Sequence, residues 1–150
     1  MAKNRAIGYQ NQLLFHIEAD LKRFKALTLH HPIIMGRHTF LSLPHGPLPQ
    51  RRNIVLSQTI PAFDGCEVAI SLEAALQLCA HAPEVFIIGG ASVYQQAMPF
   101  ADKLYLTEVD VTPKQADAFF PPFTDWVLTN HEHFPKTSTL PTFSFNVYEK

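Results

Sequence analysis

Residues 85–94 read VFIIGGASVY, the most informative stretch of the chain. Val85, Phe86, Ile87 and Ile88 are apolar, uncharged, and mostly β-branched or aromatic, the composition of a short buried strand. Gly89-Gly90 ends it. A glycine pair permits backbone angles closed to other residues and lets a ligand approach the main chain. Residues 91–98 have the composition of a helix, whose first N–H groups and dipole favour an anion. Many such glycine pairs are plain turns, so the rest of the chain must decide.

The same logic recurs upstream. Ile33-Ile34-Met35-Gly36-Arg37-His38-Thr39-Phe40 is a strand, a glycine turn and a helix start. Arg37 offers a planar fork of donors suited to a doubly charged phosphate; otherwise it is a surface residue on a turn. After Pro47-Leu48-Pro49 come Arg51 and Arg52, at the rim of another strand. An arginine there either clamps a carboxylate or stands solvated.

Strands are predicted at residues 32–35, 53–57, 67–70, 85–88, 103–109, 126–133 and 142–149. Helices are predicted at residues 18–27, 37–43, 71–79 and 91–98. The first two-thirds alternate strand and helix, the pattern of parallel crossovers, and the last third holds strands only. Phe143, Phe145 and Val147 alternate with Ser144, Asn146 and Tyr148, as in a half-buried strand. The expected fold is α/β: a three-layer-like arrangement with a mixed, mostly parallel central sheet, about four flanking helices and a C-terminal antiparallel hairpin. Residues 1–150 are expected to form a single domain.

Hydrophobic residues make up 47% of the chain, which excludes a disordered protein, and no apolar run is long enough to span a bilayer. A net charge of −1 with no long charged run argues against a nucleic-acid partner. Cys66 and Cys79 lack metal or disulfide spacing, and no export signal opens the chain, so a cytoplasmic location is expected. The start is unusual. Ala6-Ile7-Gly8 reads as the end of a strand-to-loop transition with almost nothing before it. The opening strand of such a domain is absent or reduced to residues 1–3, as if Met1 were an internal methionine of a longer natural chain.

Asp20 is the acid to explain. Wound at about 100° per residue, Ile17, Leu21, Phe24, Leu27 and Thr28 share one face of the first helix, and Asp20 falls within that arc. A carboxylate there needs hydrogen-bond donors, and it can bind an amidine-like heterocycle through two parallel bonds or assist a proton transfer. It also sits in the first turn, where acids complement the helix dipole. Glu18 lies on the polar side. His131 and His133 have the spacing of two rings on one side of a strand, with no third metal ligand evident. No nucleophile pattern is present.

Together these segments resemble bacterial dihydrofolate reductase over nearly the whole chain. The matching residues are Ala6-Ile7-Gly8, Ala19-Asp20-Leu21 with Phe24-Lys25, residues 34–40, Leu48-Pro49 with Arg51-Arg52-Asn53, Ile88-Gly89-Gly90 with Tyr94, and Leu104-Tyr105-Leu106-Thr107. The resemblance implies NADPH-dependent reduction of 7,8-dihydrofolate to tetrahydrofolate, in one-carbon metabolism, by a monomer open to antifolate inhibitors. It implies that Asp20 binds the pterin and that Thr107 steadies it. It makes Leu21, Phe24 and Leu48 walls of the substrate pocket, has Ile88 border the pterin, and makes Arg51 the clamp on the glutamate carboxylate. It assigns Ile7, Gly36, Arg37, His38, Thr39, Ser57, Gly89, Gly90 and Tyr94 to NADPH, with Arg37 near the 2′-phosphate and a cis peptide joining the glycine pair.

Three departures stand out. The opening strand is short. The family's Leu-Pro-Trp is Leu13-Leu14-Phe15 here, without the indole N–H. The mobile loop's Gly-Asp is Ala116-Asp117. These leave two other readings: a non-catalytic NADPH- or folate-binding domain, and a related NADPH reductase acting on a pyrimidine or another pterin.

Overall fold

Apolar runs of the chain form strands and amphipathic runs form helices. The computed structural model describes residues 1–150. In chain order the elements are β1 (Ala6–Tyr9), β2 (Gln12–Leu13), α1 (Glu18–Thr28), β3 (Ile33–Gly36), α2 (Arg37–Ser42), β4 (Asn53–Leu56), β5 (Glu67–Ala69), α3 (Leu72–Leu78), β6 (Phe86–Ile87), α4 (Ala91–Ala97), β7 (Lys103–Val109), β8 (Ala118–Phe119), β9 (Val127–Phe134) and β10 (Phe143–Glu149). They fall in two units: Leu21–Ala97, and Met1–Asp20 with Met98–Lys150.

The unit Leu21–Ala97 is built on a four-stranded parallel sheet in the order β5-β4-β3-β6. A parallel sheet needs cover on both faces, so its strands read as continuous apolar runs. Ile34 and Ile54 face one cluster with Leu72 and Ala75 of α3 and Ala97 of α4. Ile33, Met35 and Val55 face the other, packed by Phe40, Leu43, Leu48 and Ile88. These five strand residues are fully buried, and each contributes about 1.5–3 kcal/mol by leaving water. Ser71 caps α3, its Oγ accepting from the Ala74 N–H at 3.1 Å.

The other unit carries two antiparallel sheets. In β7-β10-β9 the central β10 sets Phe143 opposite both Val109 and Phe134. Phe134 and Phe143 stack with centroids 4.6 Å apart, and Ile17, Phe15 and Phe145 complete that core. The second sheet is β2-β1-β8. The α/β class, the parallel sheet, the four helices and the C-terminal antiparallel strands agree with expectation, while the strands belong to three hydrogen-bonded sheets. No helix is long and apolar enough to cross a membrane.

Two local expectations are corrected. Residues 6–9 are a full strand rather than the tail of one, paired with β2 and β8. Gln10 and Asn11 both take positive φ, 51° and 63°, which matches the strand twist in a two-residue hairpin. Glycine usually marks that turn, so Gln-Asn hid it. The predicted polar side of β10 is also not simply polar: Asn146 is only 5% exposed, because Glu108 and His131 surround its amide. Met1 and Lys3 do run along β7 and the residues just after it. The Val109 N–H donates to the Met1 carbonyl at 2.8 Å, and the Lys3 N–H donates to the Val111 carbonyl at 3.0 Å.

Candidate active site

Asp20 ends the first turn of α1 and is half-buried. Thr107, in β7 and opposite Phe145 of β10, donates its hydroxyl to Asp20 Oδ1 at 2.5 Å. A carboxylate offers about four acceptor positions, and this bond uses one of them. The second acceptor position of Oδ1 and those of Oδ2 are enough to receive a parallel donor pair from a planar heterocycle. The Met1 ammonium donates to the Thr107 carbonyl at 2.5 Å. Burial pushes the pKa of that ammonium down, and the charges of Asp20 and Glu108 oppose the shift. Ile7 of β1 is half-buried, and its carbonyl accepts from the Leu14 N–H at 3.2 Å. Phe15 fills the aromatic core around Ile17.

A second carboxylate, Glu108, directly follows Thr107, and no local pattern announces its partners. Glu108 accepts from the Asn146 amide and from the Tyr148 hydroxyl, the latter at 2.5 Å. Burial, and then the Glu108 contact, hold the Tyr148 pKa well above its ordinary value. The His131 Nδ1 lies 2.6 Å from Asn146 Oδ1, and the His131 and His133 rings stand on the same side of β9 with centroids 6.4 Å apart. Both histidines are exposed.

In the unit Leu21–Ala97 the glycines converge. The Gly36 N–H, at the end of β3, donates to the Gly89 carbonyl at 2.8 Å. Gly89-Gly90 is joined by a cis peptide. A Cβ on Gly36 would lie 3.2 Å from Val93 Cγ2 and 3.7 Å from the Gly89 carbonyl. A Cβ on Gly89 would lie 3.3 Å from Thr39 Oγ1 and 3.5 Å from the Tyr94 hydroxyl, at a φ of +132°. A Cβ on Gly90 would again meet Thr39 Oγ1, at 3.5 Å. The three glycines therefore make a cradle of bare backbone beside the Thr39 and Tyr94 hydroxyls, the setting in which an extended phosphate-bearing ligand can approach main-chain groups.

Arg37 leaves this cradle at the start of α2 and donates from Nη1 to Thr59 Oγ1 at 3.0 Å. Thr59 is a neighbour the sequence reading missed. His38 is exposed. Ser57 is buried, and its Oγ accepts from the Ile60 N–H at 3.0 Å, so it shapes the loop that carries Thr59.

The substrate-side residues divide. Leu48 and Ile88 are half-buried against the cluster of Ile33, Met35 and Val55. Phe24 is half-buried, and its carbonyl accepts from Thr28 Oγ1 at 2.8 Å. Leu21, expected on the inward face of α1, is 56% exposed and joins no core cluster. The apolar arc thus packs at Ile17, just before α1, and at Thr28, its last residue, and leaves Leu21 open. Arg51 is half-buried and held by two bonds, from Nε to the Pro49 carbonyl at 3.0 Å and from Nη1 to Thr28 Oγ1 at 3.1 Å. Burial pushes its pKa down from the ordinary value.

The dihydrofolate reductase family profile matches residues 1–150. The chain is 54% identical to the dihydrofolate reductase of Neisseria meningitidis serogroup A, over 80% of this chain and 74% of the relative. It is 41% identical to that of Bacillus subtilis, over 100% of this chain and 90% of the relative. It is 46% identical to the type 3 dihydrofolate reductase of Salmonella typhimurium, over 82% of this chain and 75% of the relative. An acid steadied by a strand threonine, a three-glycine cradle and an anchored arginine thus accompany similarity along the full chain: the protein belongs to the dihydrofolate reductase family and is an oxidoreductase that reduces dihydrofolate to tetrahydrofolate.

Proposed function

We propose that the nicotinamide cofactor is NADPH and that Asp20 is the carboxylate that binds and orients the pterin. The Thr107–Asp20 hydrogen bond carries the second assignment, because it fixes the plane of the carboxylate and still leaves an acceptor position on each oxygen for the substrate. Asp20 accepts from the pterin amino group and the adjacent ring N–H as a parallel pair. Its negative charge, held at a half-buried position, favours positive charge on the pterin and so favours protonation at N5. Solvent supplies that proton.

Bare backbone at positions 36, 89 and 90, packed beside the Thr39 and Tyr94 hydroxyls, supports a dinucleotide here, because main-chain groups and hydroxyls stand together where phosphates can be approached. Gly36, Gly89, Gly90, Thr39 and Tyr94 would hold the reduced nicotinamide cofactor, which would supply the hydride for pterin C6. Arg37 with Thr59 offers donors to a 2′-phosphate, which supports NADPH over NADH. Ile7, His38 and Ser57 belong to the same cofactor assignment. Phe24, Leu48, Ile88 and the open Leu21 supply apolar surface for the pterin and aminobenzoyl rings, and Arg51 takes the glutamate carboxylate. Action of residues 1–150 as one catalytic domain belongs to the same reading and is supported by a family profile that covers them; a monomeric state, a cytoplasmic location and susceptibility to antifolates complete the proposal. The test is oxidation of NADPH and of NADH by the purified protein, with and without dihydrofolate. Oxidation that needs dihydrofolate and strongly prefers NADPH is expected. Equal use of NADH would overturn the cofactor assignment.

A further inference from the structure

Asn53 opens β4 and is out of character there. Its neighbours Ile54, Val55 and Leu56 are the apolar run a central parallel strand requires, and asparagine is depleted in strands. It is also 4% exposed, and burying an amide is costly unless its atoms are bonded. The amide is bonded on both sides. Oδ1 accepts from the Leu48 N–H at 2.9 Å, and Nδ2 donates to the Leu48 carbonyl and to the Arg51 carbonyl, each at 2.9 Å. One side chain therefore closes a ring around residues 48–51 from inside.

That segment needs such a clamp. Pro47 and Pro49 flank Leu48 and lack backbone donors, and Gln50 sits at a φ of +59°. The ends of the segment carry the two groups assigned to the outer part of the substrate. Leu48 turns toward the apolar cluster of Ile33, Met35 and Val55. Arg51 extends to Thr28 Oγ1, and the Gln50 carbonyl accepts from the His30 N–H at 2.9 Å. Only Asn53 grips the backbone of Leu48 and Arg51 at once. No charged or aliphatic side chain of similar size offers a donor and an acceptor in that plane.

We infer that Asn53 is a positioning residue: it sets selectivity for the glutamate tail of the substrate by holding Leu48 and Arg51 at a fixed spacing. It touches no substrate and acts through Arg51, so this inference rests on the assignment of Arg51 as the carboxylate clamp. A residue that only stabilised the fold would affect every substrate alike. A positioning residue affects the part of the substrate that reaches Arg51.

The experiment compares two substrates, dihydrofolate and 6-methyl-7,8-dihydropterin, which keeps the reacting ring and lacks the aminobenzoylglutamate tail. Steady-state kcat and KM are measured for both in the native protein, Asn53→Ala, Asn53→Asp and Arg51→Leu, each below its own melting temperature. Asn53→Asp keeps the volume and sets a carboxylate against two carbonyls, so it extends the test if Asn53→Ala does not fold. Either Asn53 variant is expected to raise KM for dihydrofolate by roughly 10-fold, as loss of one well-placed contact does, with kcat and the values for the tail-less pterin unchanged. Arg51→Leu is expected to do the same. If Arg51→Leu shows the selective loss and the Asn53 variants lower both substrates equally or neither, the inference on Asn53 is overturned. If Arg51→Leu shows no selective loss, the clamp assignment itself fails. Failure of both Asn53 variants to fold overturns the inference as well, by making Asn53 a folding residue.

Discussion

The Thr107 hydroxyl donates a 2.5 Å hydrogen bond to Oδ1 of Asp20, joining the middle of β7 to the first turn of α1. The bond fixes which face of the carboxylate is left for a substrate. Thr107→Val keeps the side-chain volume and removes the donor. A hydrogen bond to a charged group is worth about 1.5–3 kcal/mol, so kcat/KM for dihydrofolate is expected to fall roughly 10- to 100-fold. Melting temperature should change little, because the freed carboxylate is only half-buried. Steady-state kinetics beside a thermal melt check this, and an unchanged kcat/KM would remove the positioning role from Thr107.

Arg37 reaches Thr59 across the loop that Ser57 shapes. If this pair reads the 2′-phosphate, Arg37→Gln should raise KM for NADPH by roughly 10-fold and leave KM for NADH unchanged, because a bidentate charged contact is lost only where a phosphate exists. Parallel titration of both cofactors decides it. An equal effect on the two would place Arg37 away from the phosphate.

Gly89→Ala sets a methyl group 3.3 Å from Thr39 Oγ1 at a φ of +132°, where side chains are rarely tolerated. The backbone conformation alone costs about 1–3 kcal/mol for a residue other than glycine. Gly46→Ala is the comparison: its φ is +72°, and nothing lies within 4 Å of its Cβ. Both variants should melt earlier than the native protein. Only Gly89→Ala should also weaken cofactor affinity, as read by fluorescence titration.

Tyr148 gives the pH dependence. Burial and the Glu108 contact raise its folded pKa above the ordinary value of 10.0. Between those two values the folded state holds a proton that the unfolded state releases, so this part of the stability is present below pH 10.0 and is lost as pH rises above it. Denaturation midpoints should fall in alkali more steeply for the native protein than for Tyr148→Phe. Parallel slopes would show that the hydroxyl does not titrate out of a folded hydrogen bond.

What the sequence revealed follows from where the signals are local. Ile33-Ile34-Met35 and Ile54-Val55 announce strands buried on both faces, and these are the fully buried residues of the parallel sheet. Asp20 is legible because an acid on an apolar arc needs a reason, and Thr107 supplies one. The β1–β2 hairpin is not, because Gln10 and Asn11 adopt positive φ without a glycine. Thr59, Asn53 and the Glu108–Tyr148 pair are not legible either: each acquires its role from residues distant in the chain or around a bend, which no periodicity encodes. Leu21 obeys the helical period and still stays open, because period specifies a face and not what covers it.

Single-turnover hydride transfer in Asp20→Asn tests most directly whether the Asp20 carboxylate orients the pterin and favours its protonation. The variant keeps the size of the side chain and an acceptor for Thr107 while removing the charge. With enzyme saturated by NADPH and mixed rapidly with dihydrofolate at neutral pH, the decay of reduced nicotinamide should slow by about 10²–10³-fold, the range for loss of one preorganised electrostatic contact. A folded Asp20→Asn protein that transfers hydride at the native rate would contradict the account.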